Sequence, residues 1–184
     1  MAHYNYIHLT TGGTGKMSSI VIFFSRAGEN WVDGGIRHTD VGNTERAAQI
    51  IHDLTGADLF KIEPVVPYPE NYDECTAVAK RDQQTNARPE IKSYPKNLDK
   101  YDTVYLGYPN YWGTMPMAVF TLLDGCDLSG KVVKPFCTHE GSGLGHSMSD
   151  VRKMCPGADV RDGLAIVGSA AGDSVEPIRK WLNK

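Results

Sequence analysis

No stretch of this chain holds the roughly 18 consecutive apolar residues that a bilayer-crossing helix requires, which excludes a membrane span. Clustered positive charge is lacking too. Lys and Arg (19) are outnumbered by Asp and Glu (22), for a net charge of −3. Arg26, Arg37, Lys80 and Arg81 lie scattered among acids, so the dense cationic footprint of a nucleic-acid binder is excluded. Cysteine is scarce: Cys75, Cys126, Cys137 and Cys155 form no C-x-x-C pair and no zinc spacing. They read as small hydrophobes of a reducing, cytoplasmic compartment. A positive segment followed by an apolar run is absent from the N-terminus, which argues against a secretory signal. Internal repeats and low-complexity tracts are also missing.

What is present is ordinary for one globular domain: 41% hydrophobic and 22% charged residues in a chain of 184. Residues 1–17 stand apart, with neither helical nor strand periodicity, and a natural-looking start follows at Met17. Gly12-Gly13-Thr14-Gly15-Lys16 resembles a triphosphate-binding loop superficially. It fails that pattern because Thr10 replaces the first glycine and Met17 replaces the magnesium-binding hydroxyl. We expect a tag, leader or disordered extension over 1–17 and one domain over 18–184.

From Ser19 onward, short apolar runs alternate with helical periodicity. Ile20 to Phe24 is continuously apolar, as expected of a central parallel strand covered on both faces. Ala47, Ile50, Ile51 and Leu54 recur at helical spacing, and Gly56 supplies a stop. Leu59–Ile62 predicts a second strand and Asn71 to about Gln84 a helix. Thr103–Gly107, Val132–Cys137 and Gly163–Val167 predict three more strands, and a last helix runs from about Val175 to Trp181. Strands alternating with helices imply right-handed βαβ units. The expected fold is α/β, a doubly wound five-stranded parallel sheet of order 2-1-3-4-5, with its ligand beyond the strand ends.

Three loops then carry the chemistry. After the first strand come Ser25 and Arg26, and the first helix opens on Gly42-Asn43-Thr44. Free N–H groups and the dipole at a helix start favour an anion, though Asn43 or Thr44 also suits plain capping. After the third strand, Pro109-Asn110-Tyr111-Trp112-Gly113 offers flat π surface beside open backbone groups, suited to a ring ligand or to a hydrophobic plug. After the fourth, Thr138 to His146 holds three glycines in five positions, which lets backbone approach a planar ligand.

FFSRAG…VGNTERAAQII, LGYPNYWGTMPMAVFTLL and PFCTHEGSGLG together resemble the flavodoxin-like family of FMN proteins, over nearly all of 19–184. The resemblance implies a non-covalent FMN whose phosphate is held by Ser25, Arg26, Asn43 and Thr44. It implies that Pro109, Asn110, Tyr111, Trp112 and Gly113 flank the ring. Thr138, Glu140, Gly141, Ser142, Gly143 and Gly145 would line its pyrimidine side. The family's compact phosphate loop is here interrupted by GENWVDGGIRHTDV, which removes one hydroxyl position. Asn30, Trp31 and His38 are the candidates to compensate, Trp31 by folding over the flavin.

These residues predict a flavodoxin-type electron-transfer protein whose partner is a redox protein or NAD(P)H. The alternative is an FMN-dependent NAD(P)H oxidoreductase acting on quinone-like acceptors, and a net charge of −3 suits a carrier less well than a strongly acidic surface would. No metal ligand and no catalytic residue is singled out, because the flavin itself supplies the redox chemistry. His139 and His146 read as capping or solvent-facing side chains, with tuning of a proton near the ring as the alternative.

Overall fold

The computed structural model describes residues 18–184; the expected extension over 1–17 lies outside the described residues. The chain runs β1 (Ser19–Phe23), β2 (Gly28–Val32), β3 (Gly35–Thr39), α1 (Asn43–Thr55), β4 (Asp58–Lys61) and α2 (Tyr72–Gln84). It continues through β5 (Thr103–Pro109), α3 (Met117–Asp124), β6 (Val132–His139), α4 (Ser147–Met154), β7 (Asp159–Val160), β8 (Leu164–Val167) and α5 (Val175–Leu182). The main sheet has the order β4-β1-β5-β6-β7, with β8 also on β6, and its strand pairs are parallel. This is the expected 2-1-3-4-5 arrangement, with the fifth strand made of two pieces.

The apolar runs are continuous because both faces of the sheet are covered. Ile20, Ile22 and Phe24 pack beneath α2, α3 and α4 with Cys75, Leu122 and Val151. Val21 and Phe23 point the other way, onto Ala47, Ala48 and Ile51 of α1 and Ile178 and Trp181 of α5. Each strand residue thus alternates between two helical layers. Helix α1 stops where Gly56, at φ 72°, donates its N–H to the His52 carbonyl at 2.7 Å. Buried Lys134 reaches under the end of α5 and donates to the Trp181 and Leu182 carbonyls at 3.1 and 3.0 Å. Burial lowers its ammonium pKa, while the carbonyl end of the helix favours its charge.

The break in the fifth strand has a cause in the sequence. Val133 pairs with Val160, and Phe136 with Leu164, so three steps along β6 match four along its neighbour. One residue is therefore bulged out. The Val133 carbonyl accepts from Arg161 N–H, whereas Thr138 accepts from Asn110 on the β5 side. By alternation Pro135 faces the fifth strand, where it has no N–H to contribute, and the ladder is interrupted there.

The interruption after β1 is folded rather than irregular. β2 and β3 form an antiparallel hairpin with Val32 opposite Gly35. Its two-residue turn, Asp33-Gly34, has φ of 49° and 78°. Both positions are left-handed, as the commonest tight hairpin turn demands, and Asp-Gly is among its preferred pairs. That signal was readable in GENWVDGGIRHTDV, although our sequence reading treats the segment only as an insertion.

Candidate functional site

A cavity of about 640 Å³ opens beyond the carboxyl ends of β1, β5 and β6. Its position follows from topology: chain connections leave the sheet in opposite directions on either side of β1 and β5, and a crevice remains between them. Three loops, one helix face and the hairpin form its walls.

The first wall is the start of α1. Gly42 precedes the helix, and a Cβ there would lie 2.2 Å from Ser25 Oγ and 2.5 Å from the Arg26 carbonyl. Only a glycine lets the two halves of this loop close. Ser25 Oγ accepts the Glu45 N–H at 3.1 Å, tying the end of β1 to the first helical turn. Buried Thr44 and Thr138 share a hydroxyl hydrogen bond at 2.7 Å, joining this wall to the end of β6. Asn43, the first residue of α1, also lines the cavity.

The hairpin returns the chain to this wall without disturbing it. Asn30 Nδ2 donates to Gly28 O at 3.0 Å and to Thr39 Oγ1 at 2.9 Å, which pins the hairpin base. Arg26 donates from Nη1 to the Pro69 and Glu70 carbonyls at 2.9 and 2.8 Å, and from Nη2 to Glu29 O. Its Nε remains buried with no protein partner. His38 stays outside the cavity, beside Asp40 at 3.5 Å and Glu70 at 3.6 Å. Of the three candidate compensators, Asn30 and Trp31 line the cavity.

The second wall is a miniature hairpin. Tyr111 and Thr114 exchange backbone hydrogen bonds at 2.8 and 3.2 Å around Trp112-Gly113, whose φ values are 53° and 88°. The turn sends neighbouring side chains in different directions. Tyr111 packs edge-on against Phe24 and Tyr68, at centroid distances of 6.1 and 6.0 Å. Burial holds its phenol pKa well above the ordinary value, so it is neutral. Trp112 remains 48% exposed but is pinned from behind. Its indole Nε1 donates to Thr76 O at 2.9 Å, and Lys80 Nζ lies 4.8 Å from the ring centroid.

The third wall is the loop after β6. Asn110 Nδ2 donates to Gly143 O at 2.9 Å, while its Oδ1 accepts Gly113 N–H at 2.9 Å. The loops pack so closely that a Cβ on Gly145 would lie 2.2 Å from Gly113 O. Glu140 accepts Ser169 N–H at 2.7 Å and so holds the turn Gly168–Asp173 against the cavity. His139 Nδ1 accepts Gly141 N–H at 3.0 Å.

The sequence-predicted residues Ser25, Arg26, Asn43, Thr44, Pro109, Asn110, Tyr111, Trp112, Gly113, Thr138, Glu140 and Ser142 all line this cavity. Gly141, Gly143 and Gly145 do not. Gly143 and Gly145 serve the contact between the two loops. The sequence reading missed the floor: Tyr72, Cys75, Thr76 and Ala79, one face of α2 at i, i+3, i+4 and i+7. It also missed Gly168; His139, read as a capping side chain, accepts the Gly141 N–H and lines the cavity as well. Among the described residues, no three His, Cys, Asp or Glu side chains converge as a metal ion would require.

A sequence model of the flavodoxin family matches residues 37–184, most of the chain. The chain belongs to the flavodoxin family. The match begins within β3, so β1, Ser25, Arg26 and β2 of this flavodoxin lie before it. Comparison with curated proteins gives no match. Among solved structures, this flavodoxin is 29% identical to a protein of Bacteroides eggerthii described as a flavoprotein. That match covers 90% of this chain and 96% of the other, with a TM-score of 0.66. A similarly described protein of Bacteroides uniformis shares the fold at 24% identity, with 91% and 99% coverage and a TM-score of 0.70. A flavoprotein of Lactobacillus acidophilus, solved in complex with FMN, shares it at 19% identity, 90% and 99% coverage and a TM-score of 0.63. FMN is the cofactor that goes with this family. The donor set fits that molecule: one cavity is lined by the helix start, by the Ser25 and Thr44 hydroxyls, by aromatic rings and by Arg26, whose buried Nε has no protein partner.

Proposed function

We propose that this protein is a flavodoxin-type electron-transfer protein that works through non-covalent FMN in the cavity beyond β1, β5 and β6. The observation that carries the reading is that one cavity joins a helix start suited to an anion with a wall of aromatic rings. The α1 N-terminus, with Ser25, Asn43 and Thr44 lining the cavity, suits a phosphate dianion because a helix start offers first-turn N–H groups and the positive end of its dipole. Trp31, Tyr72, Tyr111 and Trp112 suit a flat ring system. Bound FMN supplies the one- and two-electron redox chemistry.

The chain's own residues bind and orient. Burial raises the Tyr111 phenol and Cys75 thiol pKa values, which holds both protonated. One Glu140 carboxylate oxygen, Oε1, accepts the Ser169 amide. No helix of the described residues is long and apolar enough to cross a membrane.

The test is anaerobic reduction of the FMN-loaded protein. The carrier reading expects two separable one-electron steps in a stepwise titration and slow bleaching by NADH or NADPH alone. Immediate bleaching by either nucleotide, in a single two-electron step, would replace it with the oxidoreductase alternative.

A further inference from the structure

Glu29 belongs to the hairpin, yet its side chain is spent on a different element. Its Oε2 accepts the Tyr72 backbone N–H at 2.9 Å and the Asn71 Nδ2 at 2.9 Å. Those donors stand at the open start of α2, where a carboxylate also meets the favourable end of the helix dipole. Asn71 Oδ1 caps the same turn by accepting Glu74 N–H at 3.1 Å. The first turn of α2 is therefore capped twice, once from its own chain and once from the insertion.

Strand alternation places Glu29 and Trp31 on one face of β2. Trp31 lies 6.1 Å from the Tyr72 ring, the first residue of α2 and the first of the four that floor the cavity. The backbone is tied at the same point, with Glu29 N–H donating to Glu70 O at 3.0 Å. Gly28 makes this approach possible: at φ 96°, a Cβ there would lie 2.7 Å from Glu70 Cγ. The hairpin base and the start of α2 thus form one unit.

We propose that Glu29 is a positioning residue of the cofactor site. By capping α2 from the hairpin, it locks Trp31 and the Tyr72-Cys75-Thr76-Ala79 face into a single wall against the flavin. The insertion that splits the phosphate loop thereby becomes part of the ring site. This inference rests on the FMN reading above.

The test compares wild type with Glu29→Ala and Glu29→Gln by two readouts. The first is amide hydrogen exchange of the cofactor-free protein. Glu29→Ala is expected to speed exchange at Tyr72 about tenfold or more, with faster exchange across the hairpin, because a charge-assisted cap is lost. Glu29→Gln keeps an acceptor oxygen and restores much of the protection. The second is FMN affinity and the quenching of flavin fluorescence. Glu29→Ala is expected to raise the FMN Kd about tenfold and weaken quenching, with Glu29→Gln in between. Unchanged exchange at Tyr72 overturns the lock. A lowered urea midpoint with unchanged FMN Kd and quenching also overturns the proposal, because the cap would then be structural only. If the wild type fails to bind FMN, the functional reading fails, and the exchange comparison still decides whether Glu29 locks the wall.

Discussion

The side-chain amide of Asn110 spans two loops, donating to the Gly143 carbonyl and accepting from the Gly113 amide, both at 2.9 Å. The aromatic turn after β5 and the glycine loop after β6 therefore hold one another. Replacing Asn110 by Ala removes both bonds and leaves Gly143 O and Gly113 N–H competing for water. We expect a loss of about 1–3 kcal/mol in urea unfolding and an FMN affinity lowered about tenfold. Asn110→Asp retains the acceptor for Gly113 and should fall between. An unchanged FMN affinity in Asn110→Ala would show that the loops keep their places without the bridge.

Thr44 and Thr138 pose a separate test, because their hydroxyls are buried together at 2.7 Å. Thr44→Val keeps the shape but leaves the Thr138 hydroxyl without its partner, which costs about 1–2 kcal/mol of stability. Weaker FMN binding should accompany it, while riboflavin binding changes little, because the lost group lies at the end proposed to hold the phosphate. Isothermal titration with both flavins reads the difference.

How far the sequence alone reaches can be judged element by element. β1, β5 and β6 were legible because strands covered on both faces are continuously apolar. The three ligand loops were legible because they follow those strands. The α2 floor was not: Tyr72, Cys75, Thr76 and Ala79 share a face but mix polar, aromatic and small side chains. They make no apolar stripe, and a hairpin residue that touches them, Glu29 at the Tyr72 N–H, lies 43 residues away in the chain. Asn110 presents the same difficulty, since its bonding partners are settled by tertiary approach. The Asp33-Gly34 turn was legible in principle, because its turn chemistry is local.

Trp31 is 42% exposed at the cavity rim, beside Tyr72. Trp31→Ala is expected to weaken FMN binding about three- to tenfold and to shift the flavin absorbance, as loss of one stacking ring worth about 0.5–1.5 kcal/mol implies. Spectral titration checks it; an unchanged spectrum and affinity would place Trp31 off the flavin.

The thiols set an alkaline limit. Burial pushes Cys126 and Cys155 up to about 11 and Cys137 up to about 12, against an ordinary value of 9.0. Above pH 9 the unfolded chain releases protons that the folded chain still holds, so unfolding is favoured. The stability these groups leave intact is fully present below about pH 9 and declines as pH rises toward 11–12. The urea midpoint should stay level between about pH 7 and pH 8.5 and drop by about pH 10.5. At pH 8 the folded protein should react slowly with a thiol reagent, and all four cysteines should react in urea.

The central claim is that the α1 start holds a phosphate while the aromatic walls hold a ring. Titrating the cofactor-free protein with FMN and, separately, with riboflavin tests it most directly. One FMN per chain with quenched fluorescence is expected, and riboflavin weaker by about a hundredfold, as loss of several charge-assisted hydrogen bonds implies. Equal affinity for the two flavins, or no binding of FMN, would contradict it.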